Sequence, residues 1–171
     1  MEAPDDARPT LSRSRQVIFD ILSSMDCVDN FHEKIVLDCF AGSGALGIEA
    51  LSRGAKFAYF FDKSPEAIAT IKKNLEKLRA TNATVLKIDL TVTPSSFLKR
   101  SAKCDIIFVD PPYGKISVVN TLRRLQKFGW IDEKTLLVIE EDKKSTEDLT
   151  QFETIRTKIC GNSSFRFVRI N

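Results

Sequence analysis

The chain has 171 residues, of which one is histidine, His32, two are methionine and four are cysteine. Cys27, Cys39, Cys104 and Cys160 form no C-x-x-C pair, so a zinc site lacks its usual ligand spacing and no metal is expected. Cys39 and Cys104 lie in apolar runs and read as reduced core residues of a cytosolic protein. No apolar run approaches membrane-spanning length. The opening Met1 to Ala7 is acidic and has no apolar signal-peptide core. Charge of one sign is also scarce. The 26 basic residues exceed the 23 acidic ones by three, which permits a polyanionic partner without requiring one.

What is present is an alternation. Val17, Ile18, Ile21, Leu22 and Met25 recur at helical spacing after Arg8-Pro9, with Thr10 or Ser12 as the expected cap. Ile35 to Phe40 reads as a buried strand, and a helix follows from about Ala45 to Arg53, closed by Gly54. Phe57 to Phe61, Val85 to Ile88, Cys104 to Val109 and Thr135 to Ile139 read as further strands. Helices are expected after Ser64-Pro65, over Ser95 to Lys99 and around Val118 to Phe128. Phe152 to Cys160 and Phe165 to Ile170 read as a hairpin turning at Gly161-Asn162. Strands alternating with helices imply an α/β fold, a doubly wound and mostly parallel sheet covered on both faces. The length suits a single domain over 1–171, with 1–9 as an N-terminal tail.

Ligands of such sheets bind beyond the carboxyl ends of the strands. Gly42-Ser43-Gly44-Ala45-Leu46-Gly47 follows the first strand, Asp62 the second, Asp89 the third and Asp110-Pro111-Pro112-Tyr113 the fourth. G-x-G-x-x-G with an acid twenty positions beyond Gly42 is also a dinucleotide signature, which leaves a nicotinamide-dependent oxidoreductase as a reading from another class. Two features oppose it. Asp38, inside the first strand, favours a cation over a pyrophosphate, and hydride transfer has no need of Asp-Pro-Pro-Tyr. S-adenosylmethionine suits these residues better. Asp38 can hold its ammonium, Asp62 its two ribose hydroxyls, and Asp89 its adenine amine with Leu90 alongside.

An exocyclic amine on a base is a weak nucleophile, because its lone pair is delocalised into the ring. Asp110 and the Pro111 carbonyl can accept its two N–H bonds and turn that pair toward a methyl donor. Pro112 stiffens the turn, and Tyr113 offers a face on which an extruded base can stack.

The whole pattern resembles class I S-adenosylmethionine-dependent methyltransferases, and within them the RsmD-like family. The carriers are Arg8-Pro9-Thr10 with Arg13, Arg15 and Phe19-Asp20-Ile21-Leu22, then "LDCFAGSGALGIEALSRGA" from Leu37 to Ala55, then "FVDPPY" from Phe108 to Tyr113. The resemblance implies a three-layer Rossmann-like methyltransferase fold, a seven-stranded sheet with an antiparallel last strand. It implies methyl transfer to the N2 amine of a guanine in bacterial small-subunit (16S) ribosomal RNA. The enzyme would be a cytoplasmic monomer acting on the ribosomal particle, with no metal and no membrane. Adenine-N6 or protein-glutamine methylation is the alternative within the chemistry.

Carried over, Asp110, Pro111, Pro112 and Tyr113 form the catalytic loop. Asp38, Phe40, Ala41, Gly42, Ser43, Gly44, Asp62, Lys63, Asp89 and Leu90 surround the cofactor, and Arg8, Thr10, Arg13 and Arg15 meet the RNA. The family's basic hairpin is expected to be missing, since only seven residues precede Arg8 and three are acidic. Where the family usually has Glu after the second strand, this chain has Asp62. Lys115 and Arg166 are further expected phosphate contacts.

Overall fold

A computed structural model describes residues 7–25, 31–92, 103–112, 114–145 and 147–171; the side chains of 7–13 lie outside the described residues. In chain order the elements are α1 (Ala7–Ser23), β1 (Ile35–Cys39), α2 (Ala45–Ser52), β2 (Phe57–Asp62), α3 (Pro65–Lys77), β3 (Ala83–Lys87), β4 (Ile106–Val109), α4 (Val118–Lys127), β5 (Leu136–Asp142), β6 (Phe152–Cys160) and β7 (Ser163–Ile170). One seven-stranded sheet runs in the order β3-β2-β1-β4-β5-β7-β6. The first five strands are mutually parallel, and β7 lies antiparallel between β5 and β6. The expected mixed sheet with its antiparallel last strand is therefore present.

The order reverses between β1 and β4, and this decides where a ligand can sit. The chain winds outward from β1 through β2 to β3, then returns to the other side of β1. The connections leaving β1 and β4 diverge there and open a crevice above the strand ends. Apolar burial follows the two faces. Val36, Phe60, Phe108, Val138 and Phe165 pack with Phe19 of α1 and Ile71 of α3. Leu37, Phe61, Ile107 and Ile139 pack on the other face with Leu122 of α4 and with Trp130. Alternate residues of one strand thus enter opposite cores, as the pleat requires.

Element ends differ from the sequence expectation in places. α1 starts at Ala7, so Arg8-Pro9-Thr10 belongs to its first turn and neither Thr10 nor Ser12 caps it. Proline is tolerated there because first-turn N–H groups have no intrahelical partner. β4 starts two residues later than the apolar run, at Ile106. β5 continues through Glu140 and Glu141 to Asp142, because β7 pairs with that extension. α3 begins as its sequence dictates: Pro65 occupies the first turn and the Ser64 hydroxyl accepts from the Ala67 amide at 3.2 Å. The helix expected over Ser95 to Lys99 lies outside the described residues.

Candidate active site at the strand ends

β1 ends in a turn whose backbone is largely left-handed. Phe40 has φ +59°, Gly42 +55° and Gly44 +79°. Glycine adopts such angles without penalty; at Phe40 they carry strain of the kind found at ligand sites. The turn is tied down at several points. The Ala41 amide donates to the Phe61 carbonyl at 2.9 Å, and the Gly44 amide to the Ala41 carbonyl at 2.7 Å. The Asn74 side chain donates from α3 to the Ser43 carbonyl at 3.0 Å. Gly47 explains the third glycine of the motif: a Cβ there would lie 2.3 Å from the Phe60 ring. Its absence lets α2 press onto β2.

Asp38 is 2% exposed. Gly44, at the N-cap of α2, has no side chain to cap with, and the Asp38 Oδ2 accepts from the Gly47 amide at 2.9 Å in its stead. Burial pushes the Asp38 carboxyl up to about 8, a rise opposed by that hydrogen bond and increased by the nearby charges of Asp110 and Asp62. Asp62 closes β2 and braces the loop: Oδ2 accepts from the Gly42 amide at 2.9 Å and Oδ1 from the Ser64 amide at 2.8 Å. Each oxygen keeps a lone pair beyond these bonds. Asp89 accepts through Oδ1 from the Thr91 amide at 2.9 Å and from its hydroxyl at 2.5 Å. Those bonds, with Lys63 and Arg124 adding attraction, hold its carboxyl below the usual range.

Asp110 and Pro111 directly follow β4. Burial and the neighbouring Glu140 charge push the Asp110 carboxyl up to about 7. Three cavities meet here. One of about 410 Å³ is lined by Phe40, Asp62, Lys63, Asp89, Leu90 and Asp110 among others. A second of about 390 Å³ runs from Arg15 and Asp38 past Ala41, Gly42 and Ser43 to Asp110. A third of about 630 Å³ lies beyond Pro111 and Pro112, over Lys115 and Glu147. Phe40, Asp110 and Glu140 border the first two, and Pro111, Pro112, Ile116 and Glu140 border the first and third. The result is one trough along the strand ends.

The chemistry of this trough is one-sided. Asp38, Asp62, Asp89, Asp110 and Glu140 face its first two cavities, against Lys63 and Arg15, and the third adds Glu141, Asp142 and Glu147 against Lys115 and Lys144. A dinucleotide pyrophosphate would meet those carboxylates at close range. S-adenosylmethionine offers what they accept: an ammonium, a ribose diol and an adenine amine. Its sulfonium charge also suits the field of the acids. The residues fit that cofactor and not a nicotinamide one.

Of the residues expected at the site, the structure brings Asp38, Phe40, Ala41, Gly42, Ser43, Asp62, Lys63, Asp89, Leu90, Asp110, Pro111 and Pro112 to this trough. Gly44 sits behind it, with Ile71 and Ile48 within 3.3 Å of where its Cβ would be. Arg15 reaches the second cavity, 3.9 Å from Glu49. Tyr113 lies outside the described residues, as do the side chains of Arg8, Thr10 and Arg13. Arg166 is not a free phosphate contact: it is ion-paired with the buried Glu141 across β7 and β5. Lys115 stays exposed at the rim of the third cavity. Glu140, Ile116 and Asn74 were not anticipated. Glu140 had a signal, since the fifth apolar run also ends in an acid, as the second and third strands do.

Comparison with known proteins agrees with this geometry. The family described as "Conserved hypothetical protein 95" matches residues 1–169. The ribosomal RNA small subunit methyltransferase D of Buchnera aphidicola is 36% identical over 81% of this chain and 69% of its own. The protein of that name from Escherichia coli is 32% identical over 93% and 77%. A solved structure of a conserved hypothetical protein from Streptococcus pyogenes superposes with a TM-score of 0.75 at 29% identity, over 92% of this chain and 95% of that one. The fold alone is shared with the magnesium protoporphyrin IX methyltransferase of Synechocystis with bound SAH, at a TM-score of 0.72 and 13% identity, over 100% and 90% of the two chains. A β1 glycine loop, an Asp-Pro-Pro turn on β4 and a match over nearly the full length place this chain in the conserved hypothetical protein 95 family, to which the ribosomal RNA small subunit methyltransferase D proteins are its relatives.

Proposed function

We propose that the protein is an S-adenosylmethionine-dependent methyltransferase acting on ribosomal RNA, and that its target is the exocyclic N2 amine of a guanine in the small subunit. The observation that carries this is the position of Asp110-Pro111. The carboxyl closes β4 where the two cavities bordered by Asp62, Asp89 and Asp38 meet. An amine held there faces a cofactor site built of acceptors. Relatives named for small-subunit ribosomal RNA methylation support the substrate class.

Bound S-adenosylmethionine would supply an electrophilic methyl carbon on its sulfonium. In this reading Asp38 holds the ammonium, Asp62 the ribose, and Asp89 with Leu90 the adenine, while Phe40 to Gly44 form the floor. Asp110 and the Pro111 carbonyl accept the two N–H bonds of the guanine amine, which pyramidalises it and aims its lone pair along the trough. Pro112 keeps the carbonyl in place. The bound cofactor would supply its methyl carbon to that nitrogen, the carbon–sulfur electron pair leaving with sulfur. The proton that the nitrogen sheds passes to the Asp110 carboxylate or to water. Tyr113 gives the extruded base a stacking face, and Arg8, Thr10, Arg13 and Arg15 hold the RNA near the entrance. The enzyme works in the cytoplasm as a monomer on the assembling or assembled subunit.

Methyl transfer from labelled cofactor to small ribosomal subunits lacking the modification, followed by digestion to nucleosides, tests this. N2-methylguanosine is the expected product. Methyladenosine would transfer the assignment to adenine, and methylated protein without methylated RNA would reject both.

A further inference from the structure

Glu140 borders all three cavities, and no other described residue does. Its place follows from register. Val109 pairs with Ile139 across β4 and β5, so the next residues, Asp110 and Glu140, stand side by side at the strand ends. Neighbouring strands lie about 4.8 Å apart, and adjacent positions point their side chains to the same face. Two carboxylates so placed repel each other, which adds to the rise that burial already gives the Asp110 carboxyl. A donor placed between them would relieve that repulsion.

The three amino-bearing bases differ in what flanks the amine. In guanine the N2 amine adjoins N1–H, a second donor. In adenine and cytosine the amine adjoins a ring nitrogen with a bare lone pair, on the edge where guanine has N1–H. An amine seated on Asp110 and the Pro111 carbonyl carries its ring neighbour toward the next acceptor along the sheet edge. We infer that Glu140 selects guanine, accepting N1–H while Asp110 and Pro111 accept the N2 amine. An adenine or cytosine in the same seat would set lone pair against carboxylate. Sites that hydrogen-bond a substrate group discriminate steeply against analogues lacking it, because their buried polar atoms are left unpaired. This assignment rests on the guanine-N2 reading above and adds the specificity residue to it.

The test uses 2-aminopurine, which keeps the 2-amine but bears a lone pair at N1. The methylated guanosine is first mapped in wild-type product by mass spectrometry of nuclease fragments. Small subunits are then reconstituted with guanosine or 2-aminopurine at that position. Wild-type enzyme is expected to favour guanosine by about 100-fold or more in kcat/KM. Glu140→Gln, whose amide can donate to N1, is expected to lose about tenfold or more on guanosine and to narrow the preference to under about tenfold. Glu140→Ala, which removes both the bond and the repulsion, narrows it as well. Fluorescence of the 2-aminopurine reports binding without turnover, and the variants should bind that substrate more tightly than wild type does. An unchanged guanosine-to-2-aminopurine ratio in folded variants, in both rate and binding, overturns the assignment of Glu140 alone. Failure of wild type to methylate any guanosine defeats the proposed function instead.

Discussion

A buried carboxyl that titrates near 8 is mostly protonated at neutral pH, and Asp38 is in that condition while also capping α2. Between the unfolded value near 3.8 and the folded value near 8, the folded chain binds one proton more than the unfolded chain. Stability from this group therefore falls as pH rises through that window, by at most about 1.4 kcal/mol per unit. Asp38→Asn keeps an oxygen for the Gly47 amide and removes the titration. It should melt higher than wild type at pH 8, with the gap closing toward pH 4, and bind S-adenosylmethionine more weakly; calorimetry checks both. For Asp110 the acceptor form is the carboxylate, so kcat/KM should rise with pH through about 7 and level off above it. Among the described residues, the ionisable groups that line its two cavities with it are Asp38, Asp62, Lys63, Asp89, Arg15 and Glu140. Of these, Glu140 is the charge that raises it, and Glu140→Gln should move the acid limb to lower pH. The acids at 38, 62, 89 and 110 were legible from their place after or within strands. Their second duties as braces and caps were not, because the partners are amides brought near only by folding.

At the scale of elements, α2 and β2 are locked by an absence. Gly47 has no Cβ, and Phe60 fills the space one would take. Gly47→Ala should destabilise the fold by about 1–3 kcal/mol in urea titrations, since the ring is fully buried and its displacement overpacks the core. α4 depends on the chain after β5 in a similar way. Glu147 accepts from the Val118 amide at 3.2 Å and the Val119 amide at 3.3 Å, beside the Ser117 cap. Glu147→Ala should cost about 1 kcal/mol by the same measurement. Periodicity located every described helix and strand, because the apolar stripe that marks an element also buries it. It missed where β5 ends. Glu140, Glu141 and Asp142 do not look like strand interior, and only pairing with Phe165, Ser164 and Ser163 extends the strand through them.

Taken whole, the molecule is a sheet whose strand ends gather five acidic side chains around two joined cavities, in an almost neutral chain. That asymmetry predicts a choice of ligand. S-adenosylmethionine at about 100 times its Kd should stabilise the protein by about 2.7 kcal/mol, while NADH at equal concentration should leave Tm unmoved. A thermal shift series in the two ligands decides it. By itself the sequence determined the alternation of strands and helices, the glycine turn and the Asp-Pro-Pro motif, because each depends on neighbours within a few residues. Tertiary structure decided which of the dispersed acids share a cavity, that Glu140 joins Asp110 while Arg166 is spent on Glu141, and that one carboxyl is pushed up and another held down. Those outcomes depend on strand order, register and burial, which bring together groups tens of residues apart.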